Sequence, residues 1–253
     1  MRIDINSDLG ESFGAYKIGN DAGLMKAITS ANVACGFHGG DPTVLRDTIR
    51  LAKASGVAVG AHPSFPDLVG FGRRAMAVSA RECEDFVLYQ IAAVAGVAQA
   101  EGVKLQHVKA HGELFNVAAK DPELAGAIVR AVAAFDASLI LFVFPASKIL
   151  EAARAAGLRV AQEIFADRAY EPDGALVSRR KPGAVIHDAD LVVARAVKMV
   201  KEQSIVAVDG KTIPIEADTI CVHGDTPGSD QLAAKIRAGL EAAGVTVKAI
   251  GLS

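Results

Sequence analysis

Tryptophan is absent, and aromatic residues make up only 5% of the 253 positions. A broad stacking surface for sugars or bases is therefore poorly supplied. Neither sign of charge dominates: 27 Lys and Arg stand against 29 Asp and Glu, a net charge of -2. No strong field favours nucleic acid or membrane lipid. The longest basic run, Arg179-Arg180-Lys181, is too short for a nucleic-acid patch. No apolar run reaches membrane-spanning length. Acids appear by Asp4, which does not match a secretory leader. The three cysteines, Cys35, Cys83 and Cys221, are odd in number and lack metal-ligand spacing. They read as reduced thiols of a cytoplasmic protein.

Nucleotide motifs are missing too. Gly210-Lys211-Thr212 looks like the end of a phosphate loop, but Ile205 stands where the first glycine belongs. The segment also lies in a predicted hairpin, not at a helix start. Gly70-Phe71-Gly72 runs on to Ala75 where a dinucleotide loop needs glycine, and it follows no strand. No Gly-x-Ser-x-Gly elbow occurs, and the cysteines lack an obvious activating partner.

What is present is a rhythm. Hydrophobic residues form 51% of the chain, enough for a large core. The first stretch, Arg2 to Gly14, alternates Ile3 and Ile5 with polar residues, then enters a predicted polar loop carrying Asn6, Asp8 and Glu11. Apolar segments recur at 28–34, 57–61, 103–109, 139–144, 158–165 and 219–222. Helices fall between them. Asp41-Pro42 and Asp121-Pro122 are helix starts, 79–101 is a long amphipathic helix, and Ser229 is expected to cap the last one. A short helix is expected over 22–28, and 188–203 is another. Asp209-Gly210 marks a hairpin, demoted by Pro214 to an edge or excursion.

Alternating strands and helices predict a parallel α/β fold. We count seven core strands, with 245–250 a possible eighth. No linker divides the chain, so 1–253 reads as one β/α barrel domain, TIM-barrel-like. An open doubly wound sheet gathers ligands only near its switch point and explains fewer of the polar clusters.

Those clusters follow strands: Asp8, Glu11, His38, His62, Lys109, His111, Glu163, Asp167, Arg168, His223 and Asp225. A barrel would bring them together at its C-terminal face. Each has a plain structural reading, and Asp41 is better explained as a helix cap, but recurrence at five or six strand ends favours a site. His107 shares a strand face with Lys109 and His111 but lies deeper. The Pro- and Gly-rich segment 64–74 has the length of a binding loop. Asp8, His38 and His62 could supply a divalent metal, although histidines that only hydrogen-bond are favoured. Carboxylates and histidines, with Lys109 and Arg168 to polarise an oxygen, suit hydrolysis or carbonyl chemistry by general-base activation of water.

Six stretches carry a specific resemblance: 4–14, 30–41, 60–74, 107–112, 163–168 and 219–225. Together they resemble the lactam-utilisation family, the A subunits of bacterial ATP-dependent 5-oxoprolinases. The likeness runs from the first strand to the last helix. Ser7 and Ser12 stand where the family has Ala and Gly, and Ala110 where it has Pro.

The resemblance implies a barrel related to glycoside hydrolase and deacetylase barrels. It implies opening of 5-oxo-L-proline to L-glutamate at the expense of ATP, with partner subunits B and C carrying much of the nucleotide chemistry. On that reading Asp8 or Glu11 is the general base, and His62, Lys109, His111 and Arg168 hold the substrate carboxylate and developing oxyanion. Asn6, His38, Glu163, Asp167, His223 and Asp225 complete the substrate site. A metal-dependent deacetylase or amidase acting alone, and a non-catalytic partner of the other subunits, are the competing classes. Self-association is left open.

Overall fold

The computed structural model describes residues 1–178, 180–225 and 227–251. Arg179, the first residue of the basic run, lies outside them. In chain order the elements are β1 (Arg2–Leu9), α1 (Asp21–Leu24), β2 (Ser30–Ala34), α2 (Pro42–Ser55), β3 (Ala58–His62) and α3 (Ala80–Ala100). Then come β4 (Leu105–Lys109), α4 (Gly112–Ala118), α5 (Pro122–Asp136), β5 (Ile140–Val143), α6 (Lys148–Ala155) and β6 (Arg159–Ile164). The chain ends with α7 (Ala189–Glu202), β7 (Ser204–Val206), β8 (Thr212–Pro214), β9 (Thr219–Val222), α8 (Ser229–Ala242) and β10 (Thr246–Val247).

Seven parallel strands close a barrel in the order β1-β2-β3-β4-β5-β6-β9, because β9 pairs with both β6 and β1. This is the expected seven-stave β/α barrel. Among the described residues no eighth stave is formed. β10 pairs only with Arg2 and Ile3, at the start of β1. Closure by β9 has already used the rest of that edge. The antiparallel pair β7-β8 is a separate two-stranded sheet, the excursion that Pro214 predicts. No helix among the described residues is long and apolar enough to cross a membrane.

The helix starts follow their side chains. Asp41 accepts from the Thr43 and Val44 amides, Asp121 from Glu123 and Leu124. Ser79 and Glu82 form a reciprocal capping box on α3. Ser229 does not cap α8. Gly228, in the left-handed region at φ 80°, takes that place, and the Ser229 hydroxyl turns to the Gly224 carbonyl. The helix over 22–28 shrinks to the four residues of α1, and α4 appears where no helix was expected.

The predicted polar loop at the N-terminus is also corrected. Asn6 and Asp8 belong to β1 itself. Strand residues alternate faces, so Ile3, Ile5 and Leu9 enter the main apolar core while Asp4, Asn6 and Asp8 point into the barrel. Inside, the Asn6 amide donates to Glu163 (2.9 Å) and Thr219 (2.8 Å). Asn32 of β2 donates to Asn6 (2.7 Å) and Asp8 (2.8 Å), and its own oxygen lies 2.9 Å from His107 Nε2. Below these, Ile140, Phe142 and Ala161 make a small apolar plug. The His107 ring stacks on Phe142 at 4.3 Å. Burial, then Lys109, push its pKa down to about 3. Gly60 of β3 makes room for that ring: an added Cβ would lie 2.2 Å from it.

Candidate active site

Three staves place a titratable side chain at their inward C-terminal end. Asp8 ends β1, His62 ends β3 and Lys109 ends β4. Lys109 Nζ lies 2.8 Å from Asp8 Oδ1, 3.0 Å from Glu163 Oε1 and 3.1 Å from Cys221 Sγ. Buried charges persist only when paired, and this lysine is paired twice. Burial opposes its charge, but Asp8, Cys221 and Glu163 together lift its pKa well above the usual lysine range. Burial likewise opposes the Asp8 carboxylate, yet His62 and Lys109 hold its pKa well below the usual carboxylate range. The contacts of Asp8 with Lys109, Asn32 and His62 all fall on Oδ1. The side chain remains 12% exposed at the barrel mouth.

Beside this pair lies a buried cluster of Glu11, His38, His62 and His111, whose ligand-type atoms sit within 4.8 Å of one another. His62 Nδ1 is 2.7 Å from the Lys109 carbonyl, and His111 Nε2 is 2.9 Å from the Phe71 carbonyl. The opposite nitrogens, His62 Nε2 and His111 Nδ1, meet at 2.9 Å. His38 Nε2 reaches Glu11 Oε1 at 3.1 Å, and its ring stacks on His111 at 3.7 Å. Burial, then the Asp8 charge, raise the Glu11 pKa well above normal. Burial and the neighbouring imidazoles hold His38 and His111 well below the usual histidine range.

The 64–74 loop closes over the cluster as a lid. Phe71, at φ 55°, packs its ring perpendicular to those of His38 and His111, and the Arg73 guanidinium lies 4.9 Å from its centroid. Gly72, at φ 63°, fits where a Cβ would lie 2.1 Å from Ser64 Oγ and 2.8 Å from the His111 ring. Asp67 holds the loop through Arg74 and the Gly70 amide.

The sequence-predicted residues other than Arg168 divide into three groups. Asn6, Asp8, Lys109 and Glu163 form the network inside the barrel, and Glu11, His38, His62 and His111 the cluster beside it. The metal-type grouping differs from the expected Asp8, His38 and His62: Glu11 and His111 join the two histidines, while Asp8 Oδ1 is taken by Lys109 and Asn32 and touches only His62. At the rim, His223 Nδ1 lies 3.4 Å from Asp167, and Arg73 pairs with Asp225 at 2.6 Å. Arg168 follows the end of β6. Its guanidinium donates to the Val177 and Ala184 carbonyls, which holds the 169–187 excursion, and the residue is only 5% exposed.

Asn32, Cys221 and Phe71 were not singled out. The alternation of β2 could have found Asn32. Cys221 does have a cationic neighbour in Lys109, although burial drives its pKa well up despite that contact.

The sequence profile of the LamB/YcsF family matches residues 3–252. A protein of Thermococcus onnurineus, named as the A subunit of 5-oxoprolinase, is 54% identical over 251 residues, covering 99% of this chain and 98% of its own. A Bordetella pertussis protein of the same name is 51% identical over 247 residues, 98% of each chain. The crystal structure of the lactam utilization protein from Thermus thermophilus superposes with a TM-score of 0.95 at 49% identity, over 99% of this chain and all of that one. At 16% identity, a proposed cellobiose-phosphate cleavage protein of Enterococcus faecalis shares the barrel fold, with a TM-score of 0.56 over 97% of this chain and 96% of its own. Relatives this similar along nearly the whole chain leave one conclusion: this chain is a member of the LamB/YcsF family.

Proposed function

We propose that this chain is the lactam-opening component of an ATP-dependent 5-oxoprolinase. It acts as one barrel domain with partner subunits B and C, which bring the nucleotide chemistry that the chain's own motifs lack. The observation that carries the chemical reading is the Asp8-Lys109 pair. A carboxylate oriented through one oxygen and open to the mouth through the other is positioned to take a proton from water; its lowered pKa makes it a weak base, so the position carries the assignment.

A five-membered lactam resists hydrolysis, and transfer of the ATP γ-phosphoryl group to its oxygen makes the ring carbon electrophilic. Water then adds to that carbon and gives a proton to Asp8 Oδ2. The carbon–nitrogen bond breaks as the nitrogen receives that proton, the added hydroxyl releases its remaining proton to Asp8 as it becomes the carbonyl, and an acyl phosphate remains. A second water releases phosphate and leaves L-glutamate. Lys109 fixes Asp8, and the lid excludes bulk water from the reacting carbon. The His223-Asp167 and Arg73-Asp225 pairs border the entrance and orient the substrate's carboxylate and amide.

Asp8→Asn keeps the shape and removes the base. In the assembled complex it should lower turnover by about 10²–10⁴-fold with the fold intact by circular dichroism. Full turnover would remove Asp8 from this role, and Glu11→Gln then tests the other carboxylate.

A further inference from the structure

We infer that Glu11, His38, His62 and His111 form a binding site for one divalent transition-metal ion of the zinc type. The inference starts from hydrogen-bond direction. A carbonyl oxygen only accepts, so His62 Nδ1 must carry its proton to Lys109 and His111 Nε2 must carry its proton to Phe71. In the neutral rings, His62 Nε2 and His111 Nδ1 are therefore both bare lone pairs, yet they face each other at 2.9 Å. Glu11 Oε1 stands 3.5 Å from His111 Nδ1, and the Asp8 carboxylate Oδ1 stands 3.3 Å from His62 Nε2. Lone pairs converging in a buried place need a positive centre among them.

The spacing suits a metal. Four donors at about 2.0–2.1 Å from a tetrahedral zinc are separated by about 3.3 Å. Three of the six separations are 2.9 Å for His62 to His111, 3.1 Å for His38 to Glu11 and 3.5 Å for His111 to Glu11, and all six fall within 4.8 Å, so the rings would draw in slightly around an ion. The outer side of the cluster agrees. Metal-binding histidines characteristically donate the far ring N–H to a backbone carbonyl, which fixes tautomer and orientation, and both His62 and His111 do so. His38 is 1% exposed, and its Nδ1 has no hydrogen-bond partner among the described residues. Three imidazoles and one carboxylate, with no thiolate, favour zinc, cobalt or nickel over calcium or magnesium. The competing occupant is a proton shared between His62 and His111.

The proposal does not rest on the lactam reading, because its test is read without turnover. The untagged full-length chain is stripped with a chelator, dialysed, and titrated with Zn²⁺ and separately with Co²⁺. Wild type should bind about one ion per chain and rise in thermal midpoint. The cobalt form should show the intense visible absorption of four-coordinate Co²⁺. Glu11→Gln and His111→Ala should each weaken zinc binding by at least about tenfold, whereas His187→Ala, on the exposed surface, should bind as wild type. No saturable binding by wild type would overturn the site and leave the shared proton. Unchanged binding in both cluster variants would place the ion elsewhere and overturn it equally. Should both variants fail to fold, the wild-type cobalt spectrum decides: nitrogen and oxygen ligation supports the cluster, and a thiolate charge-transfer band contradicts it.

Discussion

Lys109 Nζ lies 2.8 Å from Asp8 Oδ1, with Glu163 Oε1 at 3.0 Å on its other side. Two strand-end carboxylates from β1 and β6 are thus tied to one cation from β4. Lys109→Met would leave Glu163 buried and Asp8 half-buried without it. Breaking a buried ion pair from one side costs about 3–5 kcal/mol, so this variant should lose stability on that scale in urea titration, along with turnover in the complex. A loss below about 1 kcal/mol would mean the trio is solvated.

Gly60 tests the barrel interior. Its missing side chain is the space that the His107 ring occupies. Gly60→Ala should destabilise by about 1–3 kcal/mol through overpacking, measured by chemical denaturation. The added methyl should cost nothing when combined with His107→Ala. If the two losses simply add, the contact is not the cause.

Phe71 separates lid from stability. Its ring touches His38 and His111, while its backbone sits in the left-handed region. Glycine relieves the backbone at about 1 kcal/mol and keeps the carbonyl that accepts from His111. Phe71→Gly should therefore unfold within about 1–2 kcal/mol of wild type, yet turn over more slowly. Unchanged turnover would deny the ring a part in closing the site.

The thiols offer a pH test. All three cysteines are free and buried. Burial pushes the Cys83 thiol up to about 12 and raises Cys35 and Cys221 as well. A raised thiol pKa means less thiolate at any pH below it, so the native chain should resist iodoacetamide at about pH 8. All three should react once the chain is unfolded. Mass spectrometry of the native sample showing rapid alkylation would contradict the buried placement.

The barrel was legible because its signals are local. Asp41 and Asp121 sit before prolines and cap helices as their chemistry requires, and apolar runs such as 139–144 mark covered parallel strands. The failures have physical reasons. Asn6 and Asp8 looked like loop residues because polar alternation in a strand usually faces water; here it faces a polar barrel interior. Ser229 looked like a cap, but Gly228 meets the left-handed geometry at lower cost. The tautomers of His62 and His111 are set by backbone carbonyls at Lys109 and Phe71, and no residue type announces an acceptor carbonyl.

The most direct test of the central claim is 5-oxoproline-dependent release of glutamate and phosphate. It is measured for this chain alone, for its B and C partners alone, and for the mixture with ATP. The account predicts release only in the mixture, glutamate and phosphate in equal amounts, and its loss with Asp8→Asn. Glutamate formation by the B and C partners without this chain, or ATP-independent hydrolysis by this chain alone, would contradict it.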